Sequence, residues 1–337
     1  MTPDTLSTRL ERQDGAGRAR GRTVPLLAAA LLAMYVAVPL AFGADSYVMS
    51  LVTAALVIGG IALSWALLGN LGGMVSFGHA AFFGVGAYAS AVCSMQYGVP
   101  VFAAMLLGGA AATAAALLML PALRLRGPYF ALAILAYAHI FRILANEWTS
   151  VTGGSGGIAS IPRLPTLAGV DFGGKVGNYL VILTIVLAFA AVYDAIRRSP
   201  HGLALRAMHD SDDATRVVGV NNTLLKGMML MLSSFMCGVV GAFNAHTINF
   251  LEPDYAFSAL WVTLPIVAAI FGGYRTIAGP LVGAVVVYLV DQLVVKSLIP
   301  TGHQLVLGVL LVAMIIASPD GLLALVRKCM RRRDAAA

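Results

Sequence analysis

At 337 residues, with 59% of them hydrophobic, 11% charged and a mean hydropathy of +0.87, the chain is too apolar for a water-soluble domain, in which about a quarter of the residues carry charge. Its net charge of +7 would suit a nucleic-acid binder, but the basic residues lie between long apolar runs, which excludes that class and points to an integral membrane protein. Cys93, Cys237 and Cys329 are far apart and odd in number, so neither a disulfide framework nor metal-ligand spacing is present.

In chain order, residues 1–23 form a polar, Arg-rich tail, followed by a first span too long for the apolar core of a signal peptide. A crossing helix needs roughly 20 apolar residues. That predicts ten spans: Val24 to Phe42, Tyr47 to Leu67, Ala80 to Tyr97, Val101 to Leu123, Tyr129 to Trp148, Asn178 to Ile196, Gly227 to Ala245, Phe257 to Gly273, Pro280 to Leu298 and Gln304 to Ala317. With both ends inside the cell, eighteen Lys and Arg residues fall on the cytoplasmic side against Arg163, Lys175 and Lys296 outside, as the positive-inside rule requires. The expected fold is an all-α polytopic membrane protein of about ten helices, both termini cytoplasmic. Its permease domain covers 24–322 and a basic tail covers 323–337.

Between the second and third spans runs GNLGGMVSFGHAAFFGVGAY, Gly69 to Tyr88. Glycines this dense thin a helix at membrane depth, which is tolerated where the backbone faces protein or a water-filled path. Asn70, Ser76, Gly78, His79 and Tyr88 are the candidate path residues, and an ionisable group in such a place is a functional candidate. Against that, a lone His at a helix start also serves as a cap or packing residue. Gly69/Gly73 and Gly279/Gly283 have the small-xxx-small spacing of close helix crossings.

Arg142, near the outer end of the fifth span, can snorkel or pair with Glu147, although five residues apart is poor helical geometry. Outside the membrane, Thr149 to Gly177 with its Thr152–Gly157 glycine cluster reads as a flexible or tightly turned loop rather than an anion site, since no helix start follows directly. The spans hold few acids, Asp291 being the exception, which weighs against an ion-coupled transporter. No Lys closes a G-x-x-x-x-G-K-[ST] loop, so any ATP is bound by another chain.

The one long polar stretch is Arg197 to Lys226. It begins with Ser199-Pro200-His201-Gly202 and continues as a helical run from Leu203 to Val218, closed by Gly219. Leu203, Ala207, Asp210 and Ala214 share a face. Such a cytoplasmic helix is either a knob for another protein's groove or a solvated linker between two halves of a bundle.

Five motifs in order carry a resemblance that covers about Leu51 to Leu322: Gly73 to Tyr88, Pro121 to Gly127, Thr152-Gly153-Gly154 with Gly157, Gly202 to Ala207 leading to Gly219-Val220-Asn221, and Ser318 to Leu322. They resemble the LivM-type permeases of branched-chain amino acid ABC importers. The resemblance implies a non-enzymatic subunit in the bacterial inner membrane that translocates Leu, Ile and Val. It also implies a second, LivH-like permease, two ABC ATPase subunits holding ATP-Mg, and a periplasmic binding protein, with no cofactor in this chain. Residues 197–226 would be the coupling loop, with Arg206, Ala207, Asp210, Asp213 and Gly219 facing the ATPase. Pro128 follows Gly127 where the family commonly has an acid, and Tyr274-Arg275 departs from the usual run, so a urea or short-chain amide importer stays open, as does an ion-coupled secondary transporter.

Overall fold

The computed structural model describes residues 33–298 apart from 126 and 168, together with scattered residues between 302 and 322. The chain divides into two bodies, 1–50 and 51–337. In the first, a short apolar helix covers Ala33–Phe42, and Asp45 caps the next helix by accepting from the Tyr47 and Val48 amides at 2.9 and 3.2 Å.

The principal helices are α1 (Ser46–Gly72), α2 (His79–Gln96), α3 (Val101–Leu118), α4 (Pro128–Glu147), α5 (Lys175–Arg198), α6 (Pro200–Asp210), α7 (Asp212–Val217), α8 (Asn222–Ile248), α9 (Pro253–Ala256), α10 (Leu260–Gly272) and α11 (Ala278–Val290). Among the described residues, seven helical stretches are long and apolar enough to cross a membrane: α1, α3, α4, α5, α8, α9 joined to α10, and Ala278–Leu298. The expected first span is described only from residue 33, and half of the expected last one lies outside the described residues. Four two-residue strands, β1 (Ile158–Ala159), β2 (Thr166–Leu167), β3 (Val170–Asp171) and β4 (Phe250–Leu251), complete the fold.

The expected third span, α2, is long but does not qualify by composition. Its polar residues are the reason: His79, Ser90 and Ser94 are all buried, so this helix packs against protein and need not match lipid. It is pressed between α3 and α8. A Cβ on Gly86 would collide with the Gly238 carbonyl, and one on Gly108 with the Gly86 carbonyl, so backbones touch along this seam as small residues allow. A polar pair flanks the seam at each end, with histidine and serine exchanging sides. Ser233 Oγ donates to the Ser64 carbonyl (2.8 Å), so it accepts from His79 Nε2 (3.0 Å). His246 Nδ1 donates to the Pro162 carbonyl (2.7 Å), so its Nε2 accepts from Ser90 Oγ (2.9 Å). These bonds hold α2 and α8 together as one body.

Of the two forms expected for the connection after α4, flexible or tightly turned, the structure shows the tightly turned one. After α4, Thr149–Thr152 forms a helical turn and Gly154–Gly156 a tighter one. β1 then pairs antiparallel with β4, Ile158 opposite Leu251 and Ala159 opposite Phe250, while β2 and β3 make a small hairpin. Asn249 Nδ2 donates to the Ile161 carbonyl (3.0 Å), and Arg163 Nε donates to Asn249 Oδ1 (3.0 Å). Arg142 pairs with Asp254, Nη2 to Oδ1 at 2.6 Å, and not with Glu147; the partner from another element supplies the geometry that five residues along one helix do not. Of the two predicted small-residue crossings, Gly279 and Gly283 pack against the C-terminal end of α10, where a Cβ would collide with the Gly273 and Ala268 carbonyls. Gly73, by contrast, lies beyond the end of α1.

Candidate functional site

The central polar segment is built by its capping residues. Ser199 Oγ accepts from the Gly202 amide (3.3 Å) and Pro200 occupies the first turn, which starts α6. The helical run then breaks. Ser211 is extended (φ −156°, ψ 104°), and its Oγ accepts from the Ala214 amide (3.3 Å) to start α7, with Asp212 and Asp213 in the first turn. One helix from Leu203 to Val218 was the expectation, and the structure replaces it with two. The signal was present in Ser211-Asp212-Asp213, an N-cap followed by acids.

α7 ends at Gly219. With φ +86°, this residue lets the Val220 amide reach the Thr215 carbonyl (3.1 Å) while its own amide reaches that of Arg216 (3.0 Å), the pairing of a Schellman motif. On α6, Leu205 and Met208 are buried whereas Leu203, Arg206 and Ala207 are exposed. The outward face therefore carries Leu203 beside Arg206, whose Nη2 also donates to the Arg197 carbonyl (3.2 Å). Val217 and Val218 are exposed as well. Asp210 closes α6, and Asp213 is exposed on α7.

Asp212, which the sequence reading passed over, is the centre of the segment. Its carboxylate accepts from Lys226 Nζ (3.0 Å), Arg216 Nη2 (2.9 Å) and Asn222 Nδ2 (2.9 Å), and its carbonyl accepts from Asn222 Nδ2 (2.7 Å). Burial pushes the Asp212 carboxyl up, but the Lys226 hydrogen bond and charge, the Asn222 amide and the Arg216 charge outweigh it and hold the group below the usual carboxylate range. α7 is thereby clamped to the start of α8. The i,i+4 spacing of Asp212 and Arg216 was the legible part; the reach to Lys226 was not.

A second contact joins α6 to the glycine-rich stretch. Gly73 has φ +65°, and a Cβ there would stand 2.9 Å from His209 Nδ1. The imidazole of α6 thus lies against the turn between α1 and α2, at a position where backbone conformation and space both favour glycine.

Beyond that turn, the candidate path residues divide. Asn70 Nδ2 donates to Tyr193 Oη (2.8 Å) and to the Arg275 carbonyl (3.3 Å). Ser76 is fully buried; its carbonyl accepts from Trp65 Nε1 (2.9 Å) and its Oγ from the Gly78 amide (3.2 Å). A Cβ on Gly78 would collide with Ile134 of α4. His79 is buried on Ser233, and its Nδ1 has no hydrogen-bond partner among the described residues. Tyr88 lies farther along α2, stacked on Phe257 at 6.1 Å with its Oη 3.5 Å from the Leu251 carbonyl. The structure therefore brings Ser76, Gly78 and His79 together as the packing of one turn and sets Tyr88 apart, against β4.

The residues interleaved with that polar set line a cavity of about 910 Å³. Gly73, Met74, Val75 and Phe77 line it together with Leu123, Arg124, Leu125 and Gly127, the start of α4 at Pro128 and Phe130 to Leu132, and Asp212, Asp213, Arg216, Thr223 and Lys226. The central segment and the glycine-rich stretch, far apart in sequence, thus border one space. Among the described residues, no three His, Cys, Asp or Glu side chains group as metal ligands.

The chain has measurable relatives. It is 29% identical over 330 residues to the high-affinity branched-chain amino acid transport system permease protein LivM of Salmonella typhimurium, covering 90% of this chain and 76% of that one. It is 29% identical over 337 residues to the Escherichia coli protein of the same name, covering 93% and 78%. A probable branched-chain amino acid transport permease protein LivM from Methanocaldococcus jannaschii is 22% identical over 180 residues, covering 53% of this chain and 51% of that one. No solved structure matches. Residues 46–315, which span α1 to the far side of the cavity and beyond, match the family of branched-chain amino acid transport system permease components, and the chain belongs to that family.

Proposed function

We propose that this chain is the permease subunit of an ABC importer for branched-chain amino acids. The observation that carries this reading is the family match over residues 46–315, together with relatives named as LivM permeases at 29% identity over nine-tenths of the chain. The protein is not itself an enzyme: ATP-Mg is bound and hydrolysed by two partner ATPases. A second, LivH-like permease completes the membrane pathway, and a periplasmic binding protein delivers the solute. The chain lies in the bacterial inner membrane with about ten spans and both ends in the cytoplasm, as the distribution of Lys and Arg indicates. Residues 1–23 and 323–337 are basic cytoplasmic tails around the permease domain.

Residues 197–226 act as the coupling loop. Arg206 and Ala207, beside Leu203 on the open face of α6, and Asp210, Asp213 and Gly219 at its ends and turns meet the ATPase. Closure of the ATPases on ATP moves this loop, and two contacts carry the movement inward. His209 bears on Gly73, and Asp212 pulls on Asn222 and Lys226 at the start of α8. Because α8 is bonded to α2 through His79 and Ser233 and through Ser90 and His246, displacement of α8 carries α2 with it. The solute path follows the turn and the helix from Asn70 to Tyr88, where Ser76, Gly78 and His79 position the backbone.

Uptake of labelled leucine, with labelled urea in parallel, in cells with and without this chain tests the reading. Vanadate-sensitive leucine uptake that disappears on deletion is expected. Loss of urea uptake alone would change the cargo, and protonophore-sensitive, vanadate-resistant uptake would overturn the ABC mechanism.

A further inference from the structure

The cavity under the coupling loop carries charge beyond the Asp212 clamp. Among the described residues, five charged side chains line it: Arg124, Asp212, Asp213, Arg216 and Lys226. Three of them satisfy one another, because Asp212 takes both Arg216 and Lys226. Arg124 and Asp213 form no ion pair among the described residues. They stand on different elements, Arg124 at the end of the 3-10 turn Leu120–Arg124 and Asp213 in the first turn of α7. The remaining surface is largely apolar, with Met74, Phe77, Leu123, Leu125 and Phe130 among the lining residues.

Among the described residues, a cation and an anion without ion-pair partners beside an apolar wall complement a molecule that carries a carboxylate, an ammonium and an aliphatic side chain. A guanidinium matches a carboxylate in bidentate geometry, and an exposed carboxylate accepts from an ammonium. Among the described lining residues three cations stand with two carboxylates, a near balance that suits a zwitterion better than a polyphosphate. At about 910 Å³ the space is ample for such a ligand and its hydration. We propose that this cavity binds a hydrophobic α-amino acid from the cytoplasm, with Arg124 on its carboxylate and Asp213 on its ammonium, and that its occupancy slows the importer. The proposal rests on the importer reading and deepens it: the transported solute, once accumulated, is the ligand that restrains further transport.

The restraint follows from where the two charges sit. A ligand spanning Arg124 and Asp213 ties α7 to the connection between α3 and α4. The coupling loop must move when the ATPases close, and a ligand that binds one position of the loop better than another shifts its population toward that position.

The test uses the complete importer in proteoliposomes, with ATP-Mg inside and solute-loaded binding protein outside. The lumen holds increasing leucine, leucinamide (which lacks the carboxylate) or 4-methylpentanoate (which lacks the ammonium). The initial rate of phosphate release is read, so that solute accumulation does not enter. Leucine should depress the rate and the two analogues should not. Arg124→Gln should keep the leucine-free rate and raise the half-inhibitory leucine concentration about tenfold, the loss of one ionic contact. Asp213→Asn changes a residue of the coupling loop and with it the leucine-free rate; normalised to that rate, it should raise the half-inhibitory leucine concentration by the same factor. No depression by lumenal leucine, as when an ATPase subunit fills the cavity, overturns the proposal. Equal depression in wild type and both variants also overturns it, since inhibition would then act in the transport path. Absence of binding-protein-stimulated hydrolysis in leucine-free liposomes is a different result, and it would count against the importer reading itself.

Discussion

Replacing Asp212 with asparagine removes one charge and keeps the outline of the side chain. Its carboxylate is 30% exposed and holds Arg216 at i,i+4 and the 25% exposed Lys226. An exposed helical pair contributes about 0.3–0.5 kcal/mol and a partly screened one up to about 1 kcal/mol, so the clamp should weaken by roughly 1–1.5 kcal/mol. That corresponds to roughly a five- to thirteenfold rise in local opening. Hydrogen exchange of the reconstituted complex should show the loss over residues 211–222, with the spans unchanged, and the ratio of leucine imported to ATP hydrolysed should fall. The wild-type clamp has a defined pH window. A carboxyl held below its unfolded value of about 3.9 contributes fully above that value and loses its contribution as pH falls through the folded one, so protection corrected for intrinsic exchange should be flat between roughly pH 6 and 8. Unchanged exchange over 211–222 together with an unchanged transport ratio would refute the role assigned to Asp212.

Gly219→Pro imposes φ near −65° where the chain has +86° and deletes the amide that bonds to Arg216. It should leave the permease folded and remove solute-stimulated ATP hydrolysis, whereas Gly219→Ala, with no atom near its Cβ, should cost only about 1–2 kcal/mol of backbone strain; normal stimulation in the proline variant would sink the idea. Gly73→Ala meets both φ +65° and His209, so it should lower the transport ratio, and partial recovery in a Gly73→Ala, His209→Ala double variant, measured as a coupling energy, would identify the contact responsible. Gly78→Leu should abolish uptake by displacing α4 at Ile134, read as lost thermal stability together with lost uptake; full uptake in a stable protein would count against it. His79→Gln should retain more uptake than His79→Leu, because an amide can still donate to Ser233 at a site where a bond between spans is worth about 0.6 kcal/mol.

What the sequence made legible was whatever depends on local pattern. Apolar length announced most of the spans, the glycines of residues 69–88 announced the turn before α2, and Gly219 announced the end of α7 with its Schellman geometry. Pairings between distant elements were not legible. Arg142 has Glu147 nearby in sequence and Asp254 in space. Asp212 and Lys226 lie in the same polar run, but only the fold of α7 against α8 brings them together. Gly69 to Tyr88 reads as the path because polarity in a span suggests water, but the sequence does not say which of its polar groups bond to protein. In the structure the Ser76 hydroxyl accepts from the Gly78 amide and the His79 imidazole bonds Ser233, and their apolar neighbours Met74, Val75 and Phe77 line the cavity. A linear sequence does not distinguish a hydroxyl that faces water from one that faces a carbonyl.

The Asp212 clamp also bears on the order in which the protein is made. Its three side-chain partners are 4, 10 and 14 residues away, so every group it needs has left the ribosome soon after Lys226. Local contacts of this kind form quickly, and residues 199–226 can take their shape before most of α8 has been synthesised. The contact of His209 with Gly73 instead joins a finished loop to a turn made much earlier. Biogenesis would then proceed by docking a preformed loop onto an inserted first half, and a defect in the clamp should appear in nascent chains before it appears in transport.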